Sequence, residues 1–282
     1  MKKFLLTLLM LLFIQPTFAF SGMNGHSYDD FMVKKLLNNQ VKYANKANVE
    51  KFISTYDKNY KNGDGFDLTT YEELCKDLWK SYTKLRYSID VKNIEYKNDK
   101  AIVDVTETCN GEIDKHSQMP GELKSVSQSK YYLQKVNGKW KVYSDEVLEE
   151  TTSMLYGEGK KLDIKLTAPE KIAPNTEYSA KVEFVPPKDT LAVVSINADK
   201  VVYPQEKTKE VYRAFPEDNE LERLFTSNNE NFNEYVIASI GLTKTTVCDL
   251  NIKFSIVGMA FAIKRVNVEQ NSKEEGNQDF AK

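Results

Sequence analysis
Leu85-Arg86-Tyr87-Ser88-Ile89-Asp90-Val91-Lys92 decides the fold of this chain, because every second side chain is apolar and the rest are polar. The same alternation returns after Asn98-Asp99, where Val103 and Val105 bracket Asp104 and precede Thr106. It returns again at Tyr131 and Leu133, which run through Asn137-Gly138 to Trp140 and Val142. A period of two joined by Asn-Asp and Asn-Gly turns describes antiparallel strands with one covered face and one open face. Residues 85–147 therefore read as a meander of three or four strands.

Working back from the meander, the chain is helical. Tyr71, Leu74, Cys75, Leu78, Trp79, Tyr82 and Leu85 fall on one face of a helix that opens at Leu68-Thr69-Thr70, with Glu72 and Glu73 close behind. Val49, Phe52, Ile53, Tyr56 and Tyr60 recur at spacings of three and four, so a second amphipathic helix is expected, capped by Asn48 and ended by Asn62-Gly63-Asp64-Gly65. Ser27 followed by Asp29 and Asp30 starts a first helix carrying Phe31, Met32, Leu36, Leu37 and Val41. Helices followed by a meander make an α+β unit with the helices on one face of the sheet. The segment from Glu112 to Glu122, with Pro120-Gly121, reads as a loop or a wide hairpin connection.

Beyond Tyr156-Gly157-Glu158-Gly159 the character changes. Short β-rich runs at 162–166, 178–185, 191–196, 235–243 and 250–268, the last read as two strands, are punctuated by Pro169, Pro174, Pro186-Pro187, Pro204 and Pro216. That pattern predicts an all-β sandwich of immunoglobulin-like architecture over 160–270, without the Cys…Trp…Cys spacing of a true immunoglobulin domain. Residues 216–233 read as a polar insertion with a helical turn or two, solvated rather than binding, and the tail at 271–282 as disordered.

The ends and the charge bound the function. Met1-Lys2-Lys3, the apolar run Phe4–Ile14 and Thr17-Phe18-Ala19 have the form of a cleaved export signal over 1–19, with no cysteine after it to carry a lipid. The run is shorter than the ~20 residues a membrane span needs, which favours cleavage over the other reading, an uncleaved amino-terminal anchor. The expected location is the periplasm or the extracellular space, with the membrane met only through the cleaved signal. Lys+Arg 39 against Asp+Glu 41 gives a net charge of -2, and no basic stripe appears, so nucleic acid is not an expected partner. Cys75, Cys109 and Cys248 have no CxxC spacing, so no metal site is expected. Cys75 and Cys109 are left as either a disulfide or buried thiols.

Ala47-Asn48-Val49 with Phe52, Tyr56 and Tyr60, the strand Val103–Thr106, and Gly138-Lys139-Trp140-Lys141-Val142 together resemble the nuclear-transport-factor-two-like fold. The resemblance covers 27–156. It implies a cystatin-like cone, helices packed on a curved antiparallel sheet, enclosing a pocket. That family holds ketosteroid-isomerase-like and polyketide-cyclase-like enzymes beside many noncatalytic members, so fold alone does not assign an activity.

Strand parity places candidates in the cone. If Val103 and Val105 face the helices, so does Glu107; Tyr131 and Leu133 carry Ser127 and Ser129 inward, and Trp140 and Val142 carry Ser144, unless a β-bulge reverses the parity. With Tyr56, Trp79 and Tyr82 from the helices, the candidate ligand pocket is Tyr56, Trp79, Tyr82, Glu107, Ser127, Ser129, Tyr131 and Ser144. A carboxylate on an apolar wall has its pKa raised, which would suit Glu107 to acid–base work; the alternative places it at the rim in water. The enzymes of the family usually pair an Asp with His or Tyr, and the two histidines here, His26 and His116, are not placed for that role. The leading expectation is therefore an exported, noncatalytic ligand-binding or protein-interaction module with its pocket in the cone and no cofactor. The alternative is a small-molecule isomerase, dehydratase or cyclase using Glu107. A small apolar ligand or a protein is the expected partner. A homodimer through the open sheet face, with Asp104, Thr106, Lys130, Tyr132 and Lys141, is compatible with the pattern.

Overall fold
The computed structural model describes residues 27–269, apart from 83, 114–118, 206–207 and 249–250. The expected export signal and the tail from 271 lie outside the described residues. Helix α1 (Ser27–Ala44) keeps Asp29 and Asp30 in its first turn and buries Val33, Leu37, Gln40, Val41 and Ala44 on one stripe. Helix α2 (Val49–Ile53) is capped by Asn48, whose side chain accepts from the Lys51 amide at 3.0 Å.

The helix predicted through Tyr60 stops at Ile53. Its continuation is drawn to the sheet instead. The Asp57 amide donates to the Val142 carbonyl at 2.7 Å and the Val142 amide to the Thr55 carbonyl at 3.2 Å. Tertiary hydrogen bonds override a helical period that is otherwise sound. Helix α3 (Leu68–Ser81) is capped one residue earlier than the Leu68-Thr69-Thr70 signal, by Asp67 accepting from the Thr70 amide at 2.8 Å.

Four strands make the meander: β1 (Arg86–Lys97), β2 (Lys100–Ile113), β3 (Gly121–Val136) and β4 (Lys139–Gly157). Asn98 (φ 55°), Asn137 (φ 51°) and Gly138 (φ 73°) make the tight turns with the left-handed backbone such loops require. Residues 27–157 thus set three helices before a four-stranded antiparallel meander, the element order the resemblance implies. Cys75 and Cys109 are buried free thiols.

After a 3-10 turn (Glu158–Lys161) come β5 (Lys165–Thr167), β6 (Lys171–Ile172), β7 (Glu177–Glu183), β8 (Leu191–Lys200), β9 (Arg213–Ala214), β10 (Glu220–Thr226), β11 (Glu234–Cys248) and β12 (Asn251–Val268). Two readings change here. The stretch 250–268 forms one strand from Asn251, not two, bulged at Val257 where Leu242 pairs with Gly258 and Thr243 with Ile256. The 216–233 segment is not helical: Glu220–Thr226 pairs with β7, with Phe225 stacked on Tyr178 at 5.6 Å and Leu224 turned to solvent. Leu221, Arg223 and Phe225 follow a period of two, which pairing with a neighbouring strand selects over the helical alternative.

The sheets join the two halves of the chain. The order β1-β2-β3-β4-β12-β11-β8-β9 is one continuous sheet, because the end of β4 pairs with both β3 and β12. A second sheet, β10-β7-β5, packs on its far half. Strands β11 and β12 form a wall between two cores. Val236, Ala238, Ile240, Leu242, Ala260, Ala262 and Val266 face the small sheet. Tyr235 and Ile263, on alternate positions, join the core under the helices.

Candidate functional site
Inside the cone the meander brings three acids to one face. Glu107 on β2 is fully buried, with Ser127 and Ser129 buried beside it on β3. The register sets Glu107 opposite Ser127 and Val105 opposite Ser129, as parity predicts. On β4 the parity changes. A bulge opposite Tyr132/Leu133 turns Ser144 outward, where its hydroxyl donates to the Lys61 carbonyl at 2.7 Å, and brings Asp145 inward. A second bulge, opposite Gln128/Ser129, brings in Glu150. Ser144 is therefore outside the cone, and two carboxyls occupy the face it was expected to share.

Each acid has a tyrosine. Tyr131 donates to Glu107 Oε1 at 2.5 Å, Tyr60 to Asp145 Oδ2 at 2.5 Å and Tyr235 to Glu150 Oε2 at 2.8 Å. Across the group, Arg265 on β12 grips Asp64 with Nη1–Oδ2 at 3.1 Å and Nη2–Oδ1 at 2.5 Å, while its Nε donates to Asn267 at 2.7 Å. Asn233 adds a bond to Asp64 Oδ1 at 2.8 Å. This buried bidentate pair ties the 62–65 turn of the first half to β12 of the second.

Burial raises the Glu107 carboxyl to about 8, the hydrogen bond from Tyr131 opposing and the Asp145 charge adding to the rise. Burial likewise raises Asp145 to about 7, opposed by the Tyr60 bond, and Glu150 to about 7, opposed by the Arg265 charge. All three acids hold protons up to near-neutral pH because a low-dielectric interior cannot keep several negative charges against one arginine. The unmatched atoms agree. Glu107 Oε2 and Ser129 Oγ are both buried, near each other and with no other hydrogen-bond partner. A proton on Oε2 would supply the missing donor, with the Ser129 hydroxyl as the neighbouring acceptor.

The space left is small. A cavity of about 40 Å³ lies between Glu107, Ser129, Tyr131, Asp145, Glu150 and Arg265, with Tyr71, Phe66 and Tyr235 completing the wall. The rest of the cone is filled by aromatic rings. Tyr56 sits among Phe52, Tyr60 and Tyr71 with centroids 4.8 to 5.4 Å away, and its hydroxyl meets that of Tyr71 at 3.3 Å. Trp79 and Tyr82 do not line the cavity. The Trp79 indole donates to the Tyr87 hydroxyl at 2.5 Å, and Tyr82 reaches Met154 Sδ at 3.8 Å. Ser127 faces inward but is not among the lining residues. Of the sequence candidates, Glu107, Ser129 and Tyr131 meet at the cavity.

Asp64, Asp145, Glu150, Tyr60, Tyr235 and Arg265 were not legible as site residues. Only Arg265 carried a signal, one it shares with Lys264 as adjacent cations in the apolar run Met259–Val268. Among the described residues, no group of three His, Cys, Asp or Glu side chains is placed to hold a metal ion, and no helix is long and apolar enough to cross a membrane.

Residues 35–154 match the family model of the C-terminal domain of the anti-sigma-I factor RsgI9. No curated protein matches the sequence. Among solved structures, Bd1075 of Bdellovibrio bacteriovorus is similar at 18% identity over 44% of this chain, with a TM-score of 0.36. The chain covers 41% of that protein's length. A candidate scytalone dehydratase from Novosphingobium aromaticivorans is similar at 14% identity over 43% of this chain and 83% of its own, with a TM-score of 0.37. A type 2 hexachlorocyclohexane dehydrochlorinase is similar at 16% identity over 43% and 84%, with a TM-score of 0.35.

Proposed function
We propose that this protein is an exported, noncatalytic interaction module whose cone is a filled, proton-holding core rather than a substrate pocket. The observation that carries this is the cavity volume. About 40 Å³ accommodates a water molecule or two, against the roughly 300 Å³ or more of a small-molecule site. The wall is closed from the second half of the chain by Tyr235 and Arg265, so a ligand would have to displace a buried ion pair. Ligand recognition therefore belongs to outer surfaces. The match to a domain of an anti-sigma factor, a regulator by name, supports a binding role over a catalytic one. In this reading the mature chain begins at Phe20 outside the cytoplasm, and residues 160–270 serve as an immunoglobulin-like accessory unit.

A second reading has one observation in its favour. Glu107 titrates near neutral pH within 2.5 Å of a tyrosine hydroxyl, the poise of a general acid–base residue in an isomerase or dehydratase. The two separate in one assay, in which wild type and Glu107→Gln are incubated with β,γ-unsaturated and α-protic ketones across pH 5 to 9. The proposal expects no rate above buffer for either protein. Turnover that rises with a pKa near 8 and disappears in a folded Glu107→Gln would replace it with the catalytic reading.

A further inference from the structure
The end of the β11–β12 hairpin leaves the body of the protein. Strand β8 pairs with β11 only as far as Thr243, and β4 pairs with β12 only from Gly258 onward. The remaining pairs, from Lys244–Ser255 to Cys248–Asn251, form a two-stranded arm with no further strand on either side among the described residues. A free two-stranded ribbon is marginal by itself in water.

The arm sorts its side chains by face. Directly opposed residues share a face, so Thr243 with Ile256, Thr245 with Phe254 and Val247 with Ile252 make one surface, and Leu191, opposite Thr243, extends it. Lys244, Thr246, Lys253 and Ser255 make the other. The first surface carries no charge, yet its apolar members are open. Leu191 is 58%, Val247 70%, Ile252 63%, Phe254 65% and Ile256 61% exposed. The Val257 bulge is the cause. It shifts the parity of β12, so that Ile252, Phe254 and Ile256 stand on the sheet face opposite Leu242 and the second core. These five side chains expose on the order of 600 Å², the upper end for the largest apolar patch of a monomer.

We infer that this arm is a self-association surface, on which a second copy of the chain packs its own arm face to face about a twofold axis. The patch is uncharged and continuous, so the same patch on a twofold mate is a complementary partner with no lysine or acid to desolvate. Its area approaches the ~800 Å² per partner of a stable interface.

Sedimentation equilibrium of the purified protein tests this. The wild type is expected to be a dimer at micromolar concentration. Phe254→Asp and Ile256→Ser, both at exposed positions, should each weaken it at least ~30-fold with the circular dichroism unchanged, whereas Lys253→Glu on the opposite face should not. Thr245→Cys should form a disulfide between copies under mild oxidation. A monomer at ~100 μM, a dimer indifferent to Phe254→Asp, or cosedimentation with phosphatidylglycerol vesicles that Phe254→Asp abolishes would each overturn the inference.

Discussion

Strands β11 and β12 separate two cores that solve burial differently. On one side, Val236, Ala238, Ile240 and Leu242 meet Ala180, Val182 and Phe184 in a core of aliphatic and small side chains with two stacked aromatic pairs, Phe184–Phe215 and Tyr178–Phe225. Its buried acid, Glu234, lies at the end of the layer and receives three hydrogen bonds, from the Tyr178 hydroxyl at 2.8 Å and from the Asn228 amide and side chain at 2.8 and 2.7 Å. On the other side, Glu107 receives one well-formed bond, from Tyr131, and its second oxygen has only the Ser129 hydroxyl nearby. The difference lies in the donors each buried acid is given, three for Glu234 and fewer for Glu107. One core is held by packing and the other by packing plus a fixed number of protons.

The largest effect expected from breaking this contrast is at the wall itself. Arg265→Met removes the guanidinium and leaves Asp64 buried, which should cost about 3–5 kcal/mol in urea unfolding. The double variant Arg265→Met with Asp64→Leu should recover much of that loss. No recovery would mean that Arg265 acts mainly through Asn267 and packing. In the second core, Leu242→Ala should cost about 2–5 kcal/mol, and that cost should not change between pH 5 and 8.5.

The first core supplies the pH dependence. Its three acids bind protons more tightly folded, at about 8, 7 and 7, than their ordinary values near 4 to 4.5. The folded chain therefore holds more protons than the unfolded one between about pH 5 and 8. The stability these groups contribute is present at the acid end of that window and is lost as pH rises through the folded values. The melting temperature should fall from pH 5 to 8.5. Glu107→Gln, a permanent mimic of the protonated acid, should flatten the upper part of the fall. An unchanged slope in this variant would show that Glu107 is not the group releasing its proton near pH 8. Smallest of all, Tyr131→Phe should cost about 1 kcal/mol through the lost hydrogen bond, whereas Ser144→Ala, outside the cone, should stay within ~0.5 kcal/mol.

Several elements were legible before the structure for local reasons. The alternation over 85–142 and the Asn turns needed only the strand period. The α3 stripe needed only the helical one. Glu107 was placed correctly because β2 runs without a bulge from Val103 to Glu107 against β3. Ser144 was misplaced because its strand is bulged, and a bulge leaves no residue signature where the extra residue is ordinary. The shortened α2 and the strand at Glu220–Thr226 failed for a related reason. Each sits between two local preferences, and a distant partner decides between them.

The sequence by itself determined the strand and helix periods, the turns, and the inward direction of Glu107, because these depend on neighbours a few residues apart. Only the tertiary structure decided that the cone is nearly full, that Asp145 and Glu150 stand beside Glu107, and that Arg265 from the last strand closes the cavity. Those outcomes rest on bulges and on contacts across as many as 201 residues, between Asp64 and Arg265, and such distances carry no period that a chain read in order can show.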